Sequence, residues 1–129
     1  MSDADKNWAN WLAGQSWLET DYENEDSDLS TARGYFQFLD ETAREAVKAG
    51  LPDPRLGTYV EQAAATRKWI EHYHPTAAVA IDQRRFMSAA HMLRNVWPSL
   101  PGGSQPQAAS RYETWNQIIK GGGPRPPAE

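Results

Sequence analysis

Trp8-Ala9-Asn10-Trp11-Leu12-Ala13-Gly14-Gln15-Ser16-Trp17-Leu18-Glu19-Thr20 places Trp8, Trp11, Leu12 and Leu18 on roughly one face of a 3.6-residue repeat. That spacing predicts an amphipathic helix, with Asp3 or Asp5 upstream as its cap. The helix is expected to run out near Glu19. From Thr20 to Arg33 the periodicity disappears and polar residues take over, so a loop follows.

The same repeat recurs down the chain. Asp40 is placed to cap a helix striped by Leu39, Ala43, Ala46 and Val47, closed by Gly50 with Pro52 beyond it. Asp53-Pro54 is expected to open a third helix, proline being favourable in a first turn, with Tyr59, Ala63, Trp69, Ile70 and Tyr73 along it and Pro75 ending it. Thr76 to Ile81 reads as a short alanine-rich helix. Asp82 is expected to cap another that carries Phe86, Ala90, Leu93 and Trp97. After a loop of Pro98, Pro101, Gly102 and Gly103, a last helix presents Ala108, Tyr112, Trp115 and Ile119.

No stretch shows β alternation flanked by hairpin turns, and no internal repeat is present. The expected fold is mostly α, a single helical domain over residues 1–120 with room for a small two-stranded element after the first helix. Residues 121–129, beginning Gly121-Gly122-Gly123-Pro124-Arg125-Pro126-Pro127, read as a flexible tail or linker.

Composition narrows the function. One domain of 129 residues buries a core without staples, and 40% hydrophobic with 23% charged residues is ordinary for a globular chain. Cysteine is absent, which removes disulfides and thiolate metal sites. A net charge of −4 and a pI near 5.3 argue against a nucleic-acid partner. Met1-Ser2-Asp3-Ala4-Asp5-Lys6 has neither a basic nor an apolar leader region, and no apolar run approaches a membrane span. The expectation is synthesis in the cytoplasm without a signal peptide and no membrane insertion.

Six carboxylates crowd ten residues: Glu19, Asp21, Glu23, Glu25, Asp26 and Asp28. Charge runs are usually solvated loops, and five of the six fit that reading. Glu19 differs, because it closes an apolar helix beside Trp17 and Leu18. Desolvation, neighbouring carboxylates and the negative end of the helix dipole should all raise its pKa, as a general acid requires. Asp26, Asp28 and Ser30 share the opening spacing of an EF-hand loop. The required glycine is Thr31 and the closing Glu is Gln37, so no calcium site is expected. His72 and His74 diverge on a helix, and with His91 they read as structural or surface groups. No metal and no cofactor are expected.

Glu19-Thr20 is followed after fifteen residues by Gly34-Tyr35-Phe36-Gln37-Phe38-Leu39, then by Thr42-Ala43, and later by Asn95-Val96-Trp97-Pro98-Ser99-Leu100-Pro101-Gly102. From Trp11 to about Lys120 this set resembles the lytic transglycosylases, relatives of goose-type lysozyme. The phage branch that includes lambda-type endolysins is the better match. Asp28 stands where many members carry a substrate-contacting serine, and the Ala-Tyr-Asn-Ala-Gly stretch of the cellular enzymes is absent.

The resemblance implies a lysozyme-like fold that cleaves the β-1,4 bond between N-acetylmuramic acid and N-acetylglucosamine in peptidoglycan, with Glu19 catalytic. It implies substrate contacts from Thr20, Gly34, Tyr35 and Gln37, and a groove wall from Trp97. One alternative is a hydrolytic muramidase, whose second carboxylate would come from Asp21, Asp26 or Asp28. The other is a non-catalytic wall-binding or virion structural module. Access to the wall would follow holin-type release through a membrane pore, or delivery inside a virion as part of a larger protein. An acidic pI favours the virion route.

Overall fold

A computed structural model describes residues 1–128 of the 129-residue chain. Among them six helices form in chain order: α1 (Asp3–Thr20), α2 (Asp40–Lys48), α3 (Tyr59–Tyr73), α4 (Pro75–Asp82), α5 (Phe86–Leu93) and α6 (Ala109–Ile119). The protein is a helical domain. No strand forms among the described residues. The segment after α1 contains isolated antiparallel bridges, Asp26 to Arg33 and Arg33 to Phe38.

α1 is the axis of the molecule, packing against α6, α4 and α3. Its apolar face is the one expected, with Trp8, Trp11, Leu12 and Leu18 all buried. Gly14 is the point of closest approach: a Cβ there would lie 2.7 Å from Ile119 Cγ2 and 2.8 Å from Trp115 Nε1. A side chain at that position would push α6 away, which explains a glycine in the middle of a helix despite its propensity cost of about 1 kcal/mol. At the other side, Trp8 Nε1 donates to Asp82 Oδ1 at 2.6 Å and Asn7 Nδ2 to Asp82 O at 2.9 Å.

Five helix starts differ from the expectation. Leu39 is the N-cap of α2 and Asp40 lies inside its first turn, its carboxylate held by Arg44 and Arg55. α4 opens one residue before Thr76, at Pro75, which suits a first turn. The other three also have local reasons. Ser2 caps α1, its hydroxyl accepting from Asp5 N at 3.0 Å, while Asp5 takes the reciprocal position of a capping box. α3 starts at Tyr59, because Thr58 and Glu61 form a second capping box and Gly57 sits at φ +92° just before it. Asp53 instead stabilises a turn, accepting from Arg55 N at 2.9 Å and pairing with the Arg55 guanidinium. Asp82 ends α4 instead of opening α5, since its carboxylate is engaged by Trp8.

Residues 121–128, where a flexible tail or linker was expected, make contacts with the rest of the chain. Arg125 donates to Ile118 O, Gly122 O and Asn10 Oδ1, and Tyr22 donates to Pro124 O at 2.8 Å. Gly121 at φ +101° and Gly123 at φ +67° turn the chain back onto α1. Glycine content that suggested a linker here permits a reversal. Glu129, the last residue of that predicted tail, lies outside the described residues.

Candidate active site

Glu19 occupies the last turn of α1, before Asp21 leaves the helix in a left-handed conformation. Leu18 and Glu19 form one side of a cleft of about 450 Å³, a size within the usual range for ligand clefts, ~300–1,000 Å³. A second side comes from Ser27, Ser30 and Gln37 of the loop after α1. The third comes from Asn95, Pro98, Ser99, Gln105 and Gln107 of the segment after α5. The polar lining is hydroxyls and amides with a single carboxylate, a donor and acceptor set suited to a neutral, hydroxyl-rich ligand.

The Glu19 side chain is half-buried, and burial raises its pKa above the ordinary carboxyl value. Ser99 opposes that shift by donating its hydroxyl to Glu19 Oε2. The neighbouring acids are exposed, and Asp21 is paired with Arg111 at 2.7 Å. Of the three causes anticipated, desolvation is the one that raises it; the exposed acids add nothing. Arg111 also stacks over Trp17, its guanidinium carbon 4.1 Å from the ring centre, and donates to Trp17 O. Its charge braces the end of α1 through Trp17 and Asp21.

The residues singled out in the sequence have different placements. Gln37 shares the cleft with Glu19, but its amide donates to Glu25 O and Gly34 O, each at 2.9 Å. It ties the loop together from a left-handed backbone at φ +53°. Thr20 is buried, its hydroxyl shared between Ser16 O at 3.1 Å and Tyr35 O at 3.0 Å. Gly34 faces protein: a Cβ there would lie 2.5 Å from Gln62 Oε1, and φ is +83°. Tyr35 is half-buried, its ring edge-on to Tyr59 with centroids 5.1 Å apart. Thr20, Gly34 and Tyr35 thus shape the loop beneath the cleft and do not line it.

Trp97 requires correction. It is 2% exposed and forms no groove wall. Its indole packs edge-on to Phe38 and Trp69, and its Nε1 donates to Phe36 O at 2.8 Å. A buried indole N–H needs an acceptor, and the backbone of the Gly34–Gln37 turn supplies it. What reaches the cleft from this segment is Ser99, two residues on. Ser99 stands inside the Trp97–Gly102 motif, which by itself gives it no role. The available signal was the i, i+3 pair Trp97 and Leu100, whose joint burial turns the residues between them toward the cleft. Asn95, Gln105 and Gln107 carried no comparable signal.

Comparison with family models, with curated proteins and with solved structures gave no match.

Proposed function

We propose that the chain is a peptidoglycan lytic transglycosylase that cleaves between N-acetylmuramic acid and N-acetylglucosamine, with Glu19 as general acid and then general base. The observation that carries this reading is a half-buried carboxyl with a raised pKa, lining a cleft whose other described polar groups are uncharged. Such a group retains its proton closer to neutral pH and can deliver it to a leaving glycosidic oxygen. The resemblance of the Glu19, Gly34, Gln37 and Trp97–Gly102 set to phage-type enzymes supplies the substrate.

In the proposed reaction, the bond from the muramoyl C1 to the bridging oxygen breaks as Glu19 gives that oxygen its proton. The muramoyl C6 oxygen then attacks C1, and its proton passes to Glu19. The product carries a 1,6-anhydro ring, the enzyme is regenerated, and no water is consumed. This route needs one protein carboxylate. A hydrolytic muramidase would place a second one roughly 5–9.5 Å across the bond. Asp21 is committed to Arg111, and Asp26 and Asp28 do not line the cleft.

Mass spectrometry of digested peptidoglycan tests activity and route together. Anhydro-ended fragments, one water lighter than reducing ones, are expected from the wild type and none from Glu19→Gln. Reducing fragments alone would replace the transglycosylase with a muramidase. Equal wall clearing by both proteins would remove Glu19 from catalysis. The wall would be reached after holin-type release or from a virion. No helix among the described residues is long and apolar enough to cross a membrane, so passage by its own helices is not part of the proposal.

A further inference from the structure

We infer that Ser99 is a positioning residue for Glu19, fixing which carboxyl oxygen handles the proton; this rests on the transglycosylase reading above. Ser99 is 8% exposed, and among the described residues it is the side chain that hydrogen-bonds the Glu19 carboxyl. The two are separated by eighty positions, so the contact exists only because the segment after α5 is held rigidly against the end of α1.

The holding is visible residue by residue. Trp97 and Leu100 are buried on either side of Pro98-Ser99, and Leu100 N donates to Trp97 O at 3.0 Å. Gly103 N donates to Leu100 O at 2.9 Å, and Gln105 N to Pro98 O at 3.1 Å, closing the turn from the far side. Gly103 passes so near that a Cβ would stand 2.1 Å from Pro98 O. The Trp97 indole bond to Phe36 O joins this turn to the loop that carries Gln37. Both loop sides of the cleft are therefore referenced to one another, and Ser99 is the group they aim at Glu19.

The chemistry follows from the donor. A free carboxyl is indifferent to which oxygen bears the proton. A hydroxyl that donates to Oε2 makes Oε2 the less basic oxygen, so the proton resides on Oε1. Oε1 is then the atom that protonates the leaving oxygen and later takes the C6 hydroxyl proton. The same donor stabilises the carboxylate once the first proton has left. Burial prepares the acid, and Ser99 keeps the conjugate base accessible for the return step.

The test is a carbon-13 NMR titration of the Glu19 side-chain carboxyl, run beside pH profiles of peptidoglycan cleavage. Ser99→Ala is expected to move the Glu19 midpoint upward, and with it the alkaline limb of the profile, where the proton the reaction needs is lost. Its kcat should fall by roughly ten- to a hundredfold, the worth of one hydrogen bond to a charged group, with KM little changed. Ser99→Thr retains the hydroxyl and should restore both midpoint and rate. Ser99→Cys, near in size with a weak donor, gives the same contrast should the alanine variant not fold. A wild type that cleaves while the Ala and Cys midpoints stay in place overturns the Ser99 inference alone. A shifted midpoint with no anhydro product from the wild type or any variant overturns the transglycosylase reading, and the reaction assigned to Ser99 with it.

Discussion

Two irregular segments face each other across Glu19, and they are opposite in kind. The loop from Asp21 to Arg33 holds five carboxylates and projects most of them into solvent. Its Asp26–Arg33 pair is 3.9 Å apart with both side chains largely exposed, a contact worth little. The segment from Asn95 to Gly103 has no charged side chain, yet it buries Trp97 and Leu100 completely enough to fix the residues between them. The charge-rich loop contributes Ser27 and Ser30 to the cleft, and the neutral one contributes the hydroxyl on Glu19. Charge density marked where the chain is wet. Buried anchors marked where geometry is controlled.

The largest way to break that contrast is through its anchor. Trp97→Ala removes a ring packed on Phe38 and Trp69 together with the bond to Phe36 O, and should cost about 3–5 kcal/mol of stability. That is a large share of a domain's total of about 5–15 kcal/mol. Denaturant unfolding measures it directly. A loss below about 1 kcal/mol, the range of an uninvolved surface site, would mean the neutral segment is not anchored as described.

How much of this was legible beforehand follows from what each signal measures. Periodicity reports burial averaged over several turns, so α1, the body of α3 and the α6 stripe through Trp115 and Ile119 could be read directly. Helix starts depend on one side chain choosing among competing partners, which is why Asp53 and Asp82 misled: Arg55 and Trp8 claim them. The half-buried place of Glu19 was legible because an acid closing an apolar helix is out of place. The resemblance puts Trp97 at the groove wall, and an aromatic residue beside a cleft motif fits both that role and a core role. Only the partner of its N–H distinguishes the two. The loop-closing parts played by Thr20, Gly34 and Gln37 depend on backbone carbonyls that no motif displays.

A smaller effect concerns what burial does to Glu19 itself. Its folded pKa lies above the unfolded value. The stability linked to the protonated form is fully present below the unfolded pKa, and is lost as pH rises through the folded one. Glu19→Gln does not titrate. The variant should therefore match the wild type in acid and melt at a higher temperature toward neutral pH, the burial cost of the carboxylate released. Melting curves from pH 3 to 8 check this. A wild type that gains on the Gln variant as pH rises would show a carboxylate stabilised by its surroundings, contrary to the cleft described.

The smallest expected effect lies in the acidic loop, and it is the sharpest test of the comparison. Asp26→Asn with Asp28→Asn removes two charges whose side chains neither line the cleft nor enter the core. Surface changes of that sort usually stay within about 0.5 kcal/mol, and cleavage should proceed at the wild-type rate with the same anhydro ends. Asparagine retains size and hydrogen bonding while removing the negative charge, so loop geometry is preserved and only electrostatics is probed. If the double variant lost activity as completely as Glu19→Gln, the charge-rich loop would be supplying a second carboxylate to the reaction. The division between a wet loop and an anchoring one would then fail at the one place where it bears on mechanism.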